Sequence, residues 1–236
     1  MTDTPSTRLR AGLELSLGMG LAFASKAALS VVAWKFAGPI SLLTLLVLIT
    51  FYLHRRGESW AQLGLGSPGG WKSYLLVLPQ TILAIVAILA TGVLMAKAGV
   101  AFGLWGSELP AGIEDRWGNV AGNLPVYLLW LAIIWTSAAF GEEMFFRAFL
   151  ITRAERVFKG LPANLGLVLA VIVPALFFGF GHFYYQGIRG LFTTGMIGVS
   201  LGILYLVYKR NLWPLVIAHG AVDTLVFTAM YLEADW

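Results

Sequence analysis

Ionisable residues interrupt three otherwise apolar stretches in the second half of the chain. They are, in chain order, Glu142, Glu143, Arg147, His182, His219 and Asp223. An acid at the centre of a membrane-spanning helix costs about 2.5–3.5 kcal/mol on insertion scales, so such residues usually mark a functional site. Carboxylates and imidazoles in an apolar enclosure are groups that general acid–base hydrolysis uses. These residues are therefore the candidate active site, provided that the three stretches meet.

The first stretch places two carboxylates side by side. Glu143 and Arg147 are four residues apart, so they share one face of a helix and can form an ion pair. Glu142 is rotated by about 100° from Glu143 in an α-helix, so its carboxylate faces a different neighbour. The spacing predicts one carboxylate that is neutralised within its helix and one that is free for chemistry. A purely structural salt bridge between Glu143 and Arg147 is the alternative.

Each of the two histidines has a partner one helical turn away. Phe178 precedes His182 by four residues, and we predict that it packs beside the imidazole and keeps water scarce. His219 precedes Asp223 by the same spacing, so the carboxylate can fix the tautomer of the imidazole or stabilise its cation. The alternatives are an interfacial histidine at a helix end for His182, and a structural pair for His219 and Asp223.

The composition indicates which elements hold these residues. Of 236 residues, 58% are hydrophobic and 12% are charged, whereas a soluble domain has about 25% charged residues. Seven apolar stretches are candidates for crossing a bilayer: Ala11–Trp34, Ile40–Leu53, Tyr74–Ala96, Leu124–Leu150, Leu165–Tyr185, Gly190–Tyr208 and Leu212–Leu232. The predicted fold class is all-α, a polytopic transmembrane helix bundle of about seven spans, with the active site in a cavity between spans four, five and seven.

Domain organisation and orientation follow from the connections. We expect residues 1–123 to form N-terminal transmembrane helices with an interfacial loop at Ser59–Trp71, and residues 124–236 to form the catalytic core of one integrated membrane domain. Every second connection is basic, which orients the N-terminus to the cytoplasm and the C-terminus to the outside. The remaining connections carry little positive charge or are acidic, with Glu108, Glu114 and Asp115 before span four, and Glu233 and Asp235 lie at the C-terminus. Because the basic residues lie in short loops between spans, we predict no nucleic-acid partner.

A second candidate nucleophile lies in span six. The segment Gly198–Gly202 reads G-x-S-x-G with Ser200 at its centre, and His219 is on the next span. A nucleophile elbow requires a strand-to-helix turn, whereas this serine lies in a predicted helix. Gly198 and Gly202 also form a G-x-x-x-G pair, which lets helices approach closely. A serine intramembrane protease is the lesser alternative, and the absence of cysteine excludes a cysteine nucleophile.

The three motifs in order resemble those of the CAAX protease and bacteriocin-processing family (CPBP, or Abi) of intramembrane proteases. The motifs are Glu142-Glu143-x-x-x-Arg147, Phe178-x-x-x-His182 and His219-x-x-x-Asp223. The best-known member of this family is the eukaryotic Ras-converting CAAX prenyl endopeptidase. The resemblance covers about Leu124–Leu232, and the last motif of the family more often ends in asparagine than in aspartate.

The resemblance implies an endopeptidase in which Glu142 activates a water molecule and His182 orients that water or the carboxylate. It further implies that His219 and Asp223 act at the carbonyl oxygen, where charge develops. The resemblance also implies that Glu143 and Arg147 stabilise the helix. The implied localisation is a multi-pass protein of a bacterial inner membrane.

The sequence allows more than one cofactor content and more than one function. The alternatives are no cofactor, or one divalent metal such as zinc, held by the set Glu142, His182, His219 and Asp223. Metal-free catalysis is favoured, since the H-E-x-x-H motif is absent and the prenyl endopeptidase is usually interpreted as a glutamate enzyme. The expected partners are the lipid bilayer and a peptide or membrane-protein substrate, and no obligate protein partner is evident. A non-catalytic membrane protein, such as a bacteriocin self-immunity or assembly factor, is the main alternative.

Overall fold

The computed structural model describes residues 5–108 and 116–233, and every regular element in them is helical. Six helices are long and apolar enough to cross a membrane. They are α1 (Pro5–Ala33), α2 (Ala37–Arg55), α3 (Trp71–Ala101), α4 (Leu124–Phe158), α5 (Ala163–Val207) and α6 (Trp213–Tyr231). The predicted all-α transmembrane bundle is confirmed. Glu114, Asp115 and Asp235 lie outside the described residues.

The longest helix, α5, is a hairpin of two antiparallel arms. Its one non-helical residue, Gly187, has φ 59° and ψ −152°, a conformation that is essentially restricted to glycine. The arms pack closely before and after this turn. A Cβ on Gly198 would lie 3.2 Å from Ala175, and one on Gly202 would lie 2.8 Å from Val171. The two arms correspond to the fifth and sixth predicted spans, which the structure joins in one helical hairpin.

We expect Gly187→Ala to destabilise the protein by about 1–3 kcal/mol, because alanine would be strained at this backbone conformation. Steric overlap does not contribute, since a Cβ there would meet no described atom within 4 Å. Thermal unfolding in detergent measures the effect. Gly20→Ala is the matched control, because Gly20 is a helical residue of α1 with equally open surroundings. Equal melting temperatures for the two variants would contradict a strained turn at Gly187.

Helix α4 is central in the bundle and contacts α2, α5 and α6. It begins and ends as an α-helix, but Ile134–Ile151 forms a π-helix. A π-helix has i→i+5 hydrogen bonds and wider turns than an α-helix, and it frequently occurs at functional sites. The rotation between Glu142 and Glu143 is therefore smaller than the predicted 100°. The two carboxylates nevertheless have different surroundings, as described below.

The predicted interfacial loop between α2 and α3 contains a short helical turn, Ala61–Leu65. This turn packs on the connection between α5 and α6. The carbonyl of Gly64 accepts a hydrogen bond from the Leu212 amide at 3.0 Å, and the Tyr205 hydroxyl donates to the Leu63 carbonyl at 2.8 Å. The turn therefore holds the start of α6, the helix that carries His219.

A buried ion cluster ties α1 to the end of α4. Arg153 is fully buried, and its guanidinium lies 2.6 Å from a carboxylate oxygen of Glu14 and 2.9 Å from one of Glu58. Burial acts to raise the pKa of Glu58, but the guanidinium groups of Arg153 and Arg156 hold it below its ordinary value. The first helix, the loop after α2 and the central helix thus form one packed unit.

Candidate active site

One large cavity, of about 1730 Å³, opens between the helices. Its lining contains predicted site residues from three helices: Glu142 of α4, His182 of the first arm of α5, and His219 and Asp223 of α6. The structure therefore brings the three sequence motifs to the wall of one cavity. Their catalytic roles remain predictions.

Glu142 presents a half-buried carboxylate to this cavity. It forms no hydrogen bond or ion pair with the residues that the structure describes. The residues four positions before and after it, Ala138 and Phe146, also line the cavity, so this face of the π-helix forms part of its wall. His219 and Asp223 lie within electrostatic range of Glu142. The carboxylate is therefore available to a water molecule or a substrate.

Glu143 has the opposite surroundings. Its side chain is fully buried, with one oxygen 3.1 Å from Arg147 Nη1 and 2.9 Å from His219 Nδ1. The ion pair that the i,i+4 spacing predicted is present. The contact with His219 was not predicted, because it joins two helices. Glu143 thus balances the buried charge of Arg147 and also holds the imidazole of α6.

His219 faces carboxylates on both sides. Its Nδ1 donates to Glu143, and its Nε2 lies 3.5 Å from Oδ2 of Asp223. The second contact is long for a hydrogen bond, and the Asp223 side chain is one-third exposed. Each ring nitrogen can therefore carry a proton, and the proton on Nε2 is the one held less firmly.

His182 is oriented by Phe178 in two ways. The Phe178 carbonyl can only accept a hydrogen bond, so the 2.9 Å contact makes Nδ1 of His182 a donor and leaves Nε2 as the acceptor of the neutral ring. The Phe178 ring packs edge-on against the imidazole with centroids 4.9 Å apart, which confirms the predicted packing. The Arg147 guanidinium lies 4.6 Å from the centroid of the same ring. Phe178 thus connects the π-helix to His182.

A comparison with protein families covers the segment that holds all of these residues. Residues 124–225 match the family of type II CAAX prenyl endopeptidases, Rce1-like. This segment is Rce1-like. The predicted resemblance to the CAAX proteases is therefore confirmed over this part of the chain, and neither a curated protein nor a solved structure matches the chain. With six helices long enough to span a bilayer, the chain is a multi-pass membrane protein, and the match of residues 124–225 supports a protease hydrolase.

Sequence reasoning did not predict that Lys26 and Arg116, two of the four cations that line the cavity, would lie beside the candidate site. Lys26 of α1 donates a hydrogen bond to the Gly181 carbonyl at 2.5 Å, beside His182. Arg116 precedes the Rce1-like segment, and its guanidinium lies 4.4 Å from the centroid of the Tyr185 ring. A lysine inside an apolar span was the available signal for the first. No pattern in the sequence pointed to the second, which lies in a polar connection.

The serine alternative has no geometric support in the Rce1-like segment. Ser200 lies in the second arm of α5, and its hydroxyl is 2.9 Å from that of Thr91 in α3. It is not part of the cavity lining, and no strand precedes it among the described residues. The flanking Gly198 and Gly202 provide close packing of the two arms, as the G-x-x-x-G spacing predicted.

The side chains as placed do not fit a resident metal ion. Within residues 5–108 and 116–233, no group of three or more His, Asp and Glu residues is arranged to hold one.

Proposed function

We propose that this protein is an intramembrane endopeptidase that hydrolyses peptide bonds with a water molecule activated by Glu142. The observation that carries the proposal is the difference in surroundings between two adjacent carboxylates. Glu143 is engaged by Arg147 and His219, whereas Glu142 faces the cavity without a partner among the described residues. A carboxylate in this position can accept a proton, which is what a general base must do.

In the proposed first step, a water molecule lies between Glu142 and the carbonyl carbon of the substrate. Nε2 of His182 accepts a hydrogen bond from one O–H of this water and thereby orients it. Glu142 removes the other proton as the water oxygen bonds to the carbonyl carbon. The product of the step is a tetrahedral intermediate with a negatively charged oxygen, and the proton is now on Glu142.

The negative oxygen needs a hydrogen-bond donor at the position where charge develops. Nε2–H of His219 supplies it, because the contact of this group with Asp223 is long and a substrate oxygen can displace it. Glu143 keeps the ring in place through Nδ1. Glu142 then passes its proton to the amide nitrogen, the C–N bond breaks, and an amine and a carboxyl product leave.

We further propose an orientation with the N-terminus in the cytoplasm of a bacterial cell and the C-terminus outside. The clustering of basic residues in every second connection supports this orientation. Since the chain contains no cysteine, single cysteines introduced into the connections can be labelled from one side of the membrane to decide it.

The function is tested by cleavage of a panel of apolar peptides with internally quenched fluorophores, using purified protein in lipid vesicles. We expect cleavage by the wild type and a decrease in kcat of about 10²-fold or more for His182→Ala, because the water loses its orientation. Ser200→Ala is the control and should retain the rate. A metal chelator, 1,10-phenanthroline, should leave the rate unchanged.

Other results would each overturn part of the proposal. Loss of cleavage in Ser200→Ala alone would establish the serine mechanism. Inhibition by the chelator that added zinc reverses would establish a metal enzyme. Equal rates for all variants would assign the cleavage to a contaminant, and absence of cleavage across the panel would favour a non-catalytic membrane protein.

A further inference from the structure

Arg116 and Lys26 are two of the four cations in the cavity wall, and neither has a role in the proposed mechanism. Arg116 and Lys26 both line the cavity that contains Glu142. They are close enough to interact electrostatically with each other, and both are within electrostatic range of His182. They therefore belong to the same cavity as the proposed site, and they place positive charge beside the carboxylates.

Arg116 is buried and forms no ion pair with a carboxylate among residues 5–108 and 116–233. Only 6% of the residue is exposed, and its Nε and Nη1 atoms are buried without a hydrogen-bond partner among the described residues. The guanidinium instead lies near the rings of Tyr185 and Trp117, at 4.4 and 5.0 Å from their centroids. Cation–π contacts contribute about 0.5–2 kcal/mol, whereas an unpaired buried charge costs several kcal/mol. An anionic ligand would remove this imbalance.

Lys26 is half-buried in the same wall and points its ammonium group toward the first arm of α5. One of its three donors is used by the Gly181 carbonyl, and the Tyr184 ring lies 5.6 Å away. The structure shows no ion pair between Lys26 and a described residue. Lys26 can therefore donate to a ligand oxygen without leaving its position beside His182.

We propose that Arg116 and Lys26 form a carboxylate-binding subsite for the peptide substrate; this rests on the proposed function. A carboxylate offers a guanidinium two free oxygens. A lipid phosphodiester also has two free oxygens, but its two ester substituents add bulk that an arginine this enclosed accommodates poorly. The apolar cavity walls, with Phe23 and Phe180 among them, suit the side chains that adjoin such a group. The carboxylate is either the C-terminus of the peptide or an Asp or Glu side chain.

The test compares three peptides of one apolar sequence: one with a free C-terminal carboxylate, one with a C-terminal amide, and one amidated peptide that contains an Asp in place of an Asn. Binding is measured by fluorescence polarisation to the Glu142→Gln variant, which requires no turnover. We expect at least one carboxylate peptide to bind about tenfold or more tightly than the neutral peptide, the factor that corresponds to a charged hydrogen bond. The peptide that shows the preference identifies the source of the carboxylate.

Arg116→Gln and Lys26→Met are each combined with Glu142→Gln. The preference for the carboxylate peptide should disappear with Arg116→Gln, so that the ratio of the two affinities is about one, and it should decrease with Lys26→Met. Arg189→Gln is the matched control, because Arg189 also lines the cavity but donates to the backbone carbonyls of Ser107 and Glu108. Melting temperatures show whether each variant is folded. If Arg116→Gln does not fold, the peptide preference of Lys26→Met decides the test.

Several outcomes separate this proposal from the proposed function. Cleavage of all three peptides at equal kcat/KM, with equal binding, would overturn the subsite and leave the endopeptidase intact. Binding preference without cleavage by the wild type would support the subsite and count against the endopeptidase. Arg116-dependent binding of phosphatidylglycerol vesicles, with no preference among the peptides, would assign the cations to lipid and overturn the proposal.

Discussion

Replacement of Glu142 by glutamine should reduce kcat for peptide cleavage by about 10²–10⁴-fold, the contribution of a general base. Glutamine has nearly the same shape as glutamate but cannot accept the proton of the attacking water. Because Glu142 has no partner among the described residues, its replacement removes no stabilising contact there. The melting temperature should therefore stay close to that of the wild type. Initial rates in lipid vesicles, beside thermal unfolding, measure both quantities.

Glu143→Gln is the matched control, since it makes the same chemical change one residue further along the π-helix. Glu143 is fully buried and contacts both Arg147 and His219, so this variant should lower the melting temperature as well as the rate. The two variants separate a chemical role from a structural one. A stable Glu143→Gln protein without activity, beside an active Glu142→Gln protein, would transfer the role of base to Glu143.

Arg147→Met should destabilise the protein by about 3–5 kcal/mol, the cost of removing one partner from a buried ion pair. Methionine fills much of the same volume, so the main loss is electrostatic. It leaves the carboxylate of Glu143 inside the bundle without its guanidinium. The contact between Arg147 and the Phe178 ring is lost as well. Unfolding in increasing denaturant, followed by tryptophan fluorescence, gives the change in stability.

Two further variants show whether the effect comes from the buried pair. In Arg147→Met combined with Glu143→Gln, no charge is left uncompensated, so the double variant should be more stable than Arg147→Met alone. Arg55→Met is a control for the cation–π contribution, because Arg55 lies 4.8 Å from the centroid of the Phe51 ring but is exposed. An Arg147→Met protein as stable as Arg55→Met would contradict a structural role for the pair.

Much of this architecture could be predicted from the sequence because its physical causes are local. Apolar stretches of sufficient length predict membrane spans, and the structure places helices at each of them. The i,i+4 spacings predicted the pairing of Glu143 with Arg147 and the packing of Phe178 on His182. Ionisable residues in apolar spans pointed to one cavity, because such residues are costly elsewhere.

The remaining features depend on contacts between helices, which spacing along one helix does not encode. The hydrogen bond between Glu143 and His219 joins α4 to α6. The π-helix at Ile134–Ile151 departs from the usual backbone bonding, although no proline marks it. Arg116 enters the cavity from a polar connection. The turn of α5 lies at Gly187, although other glycines in the same region could have formed it.

The ion cluster around Arg153 has a consequence for how the two halves of the chain depend on each other. Arg153 lies in the Rce1-like segment, but its two carboxylate partners, Glu14 and Glu58, lie in the half that precedes it. A fragment cut at residue 124 would keep every proposed catalytic group and lose both counterions of a wholly enclosed guanidinium. The amino-terminal half thus supplies the negative charge that a buried cation of the Rce1-like segment requires.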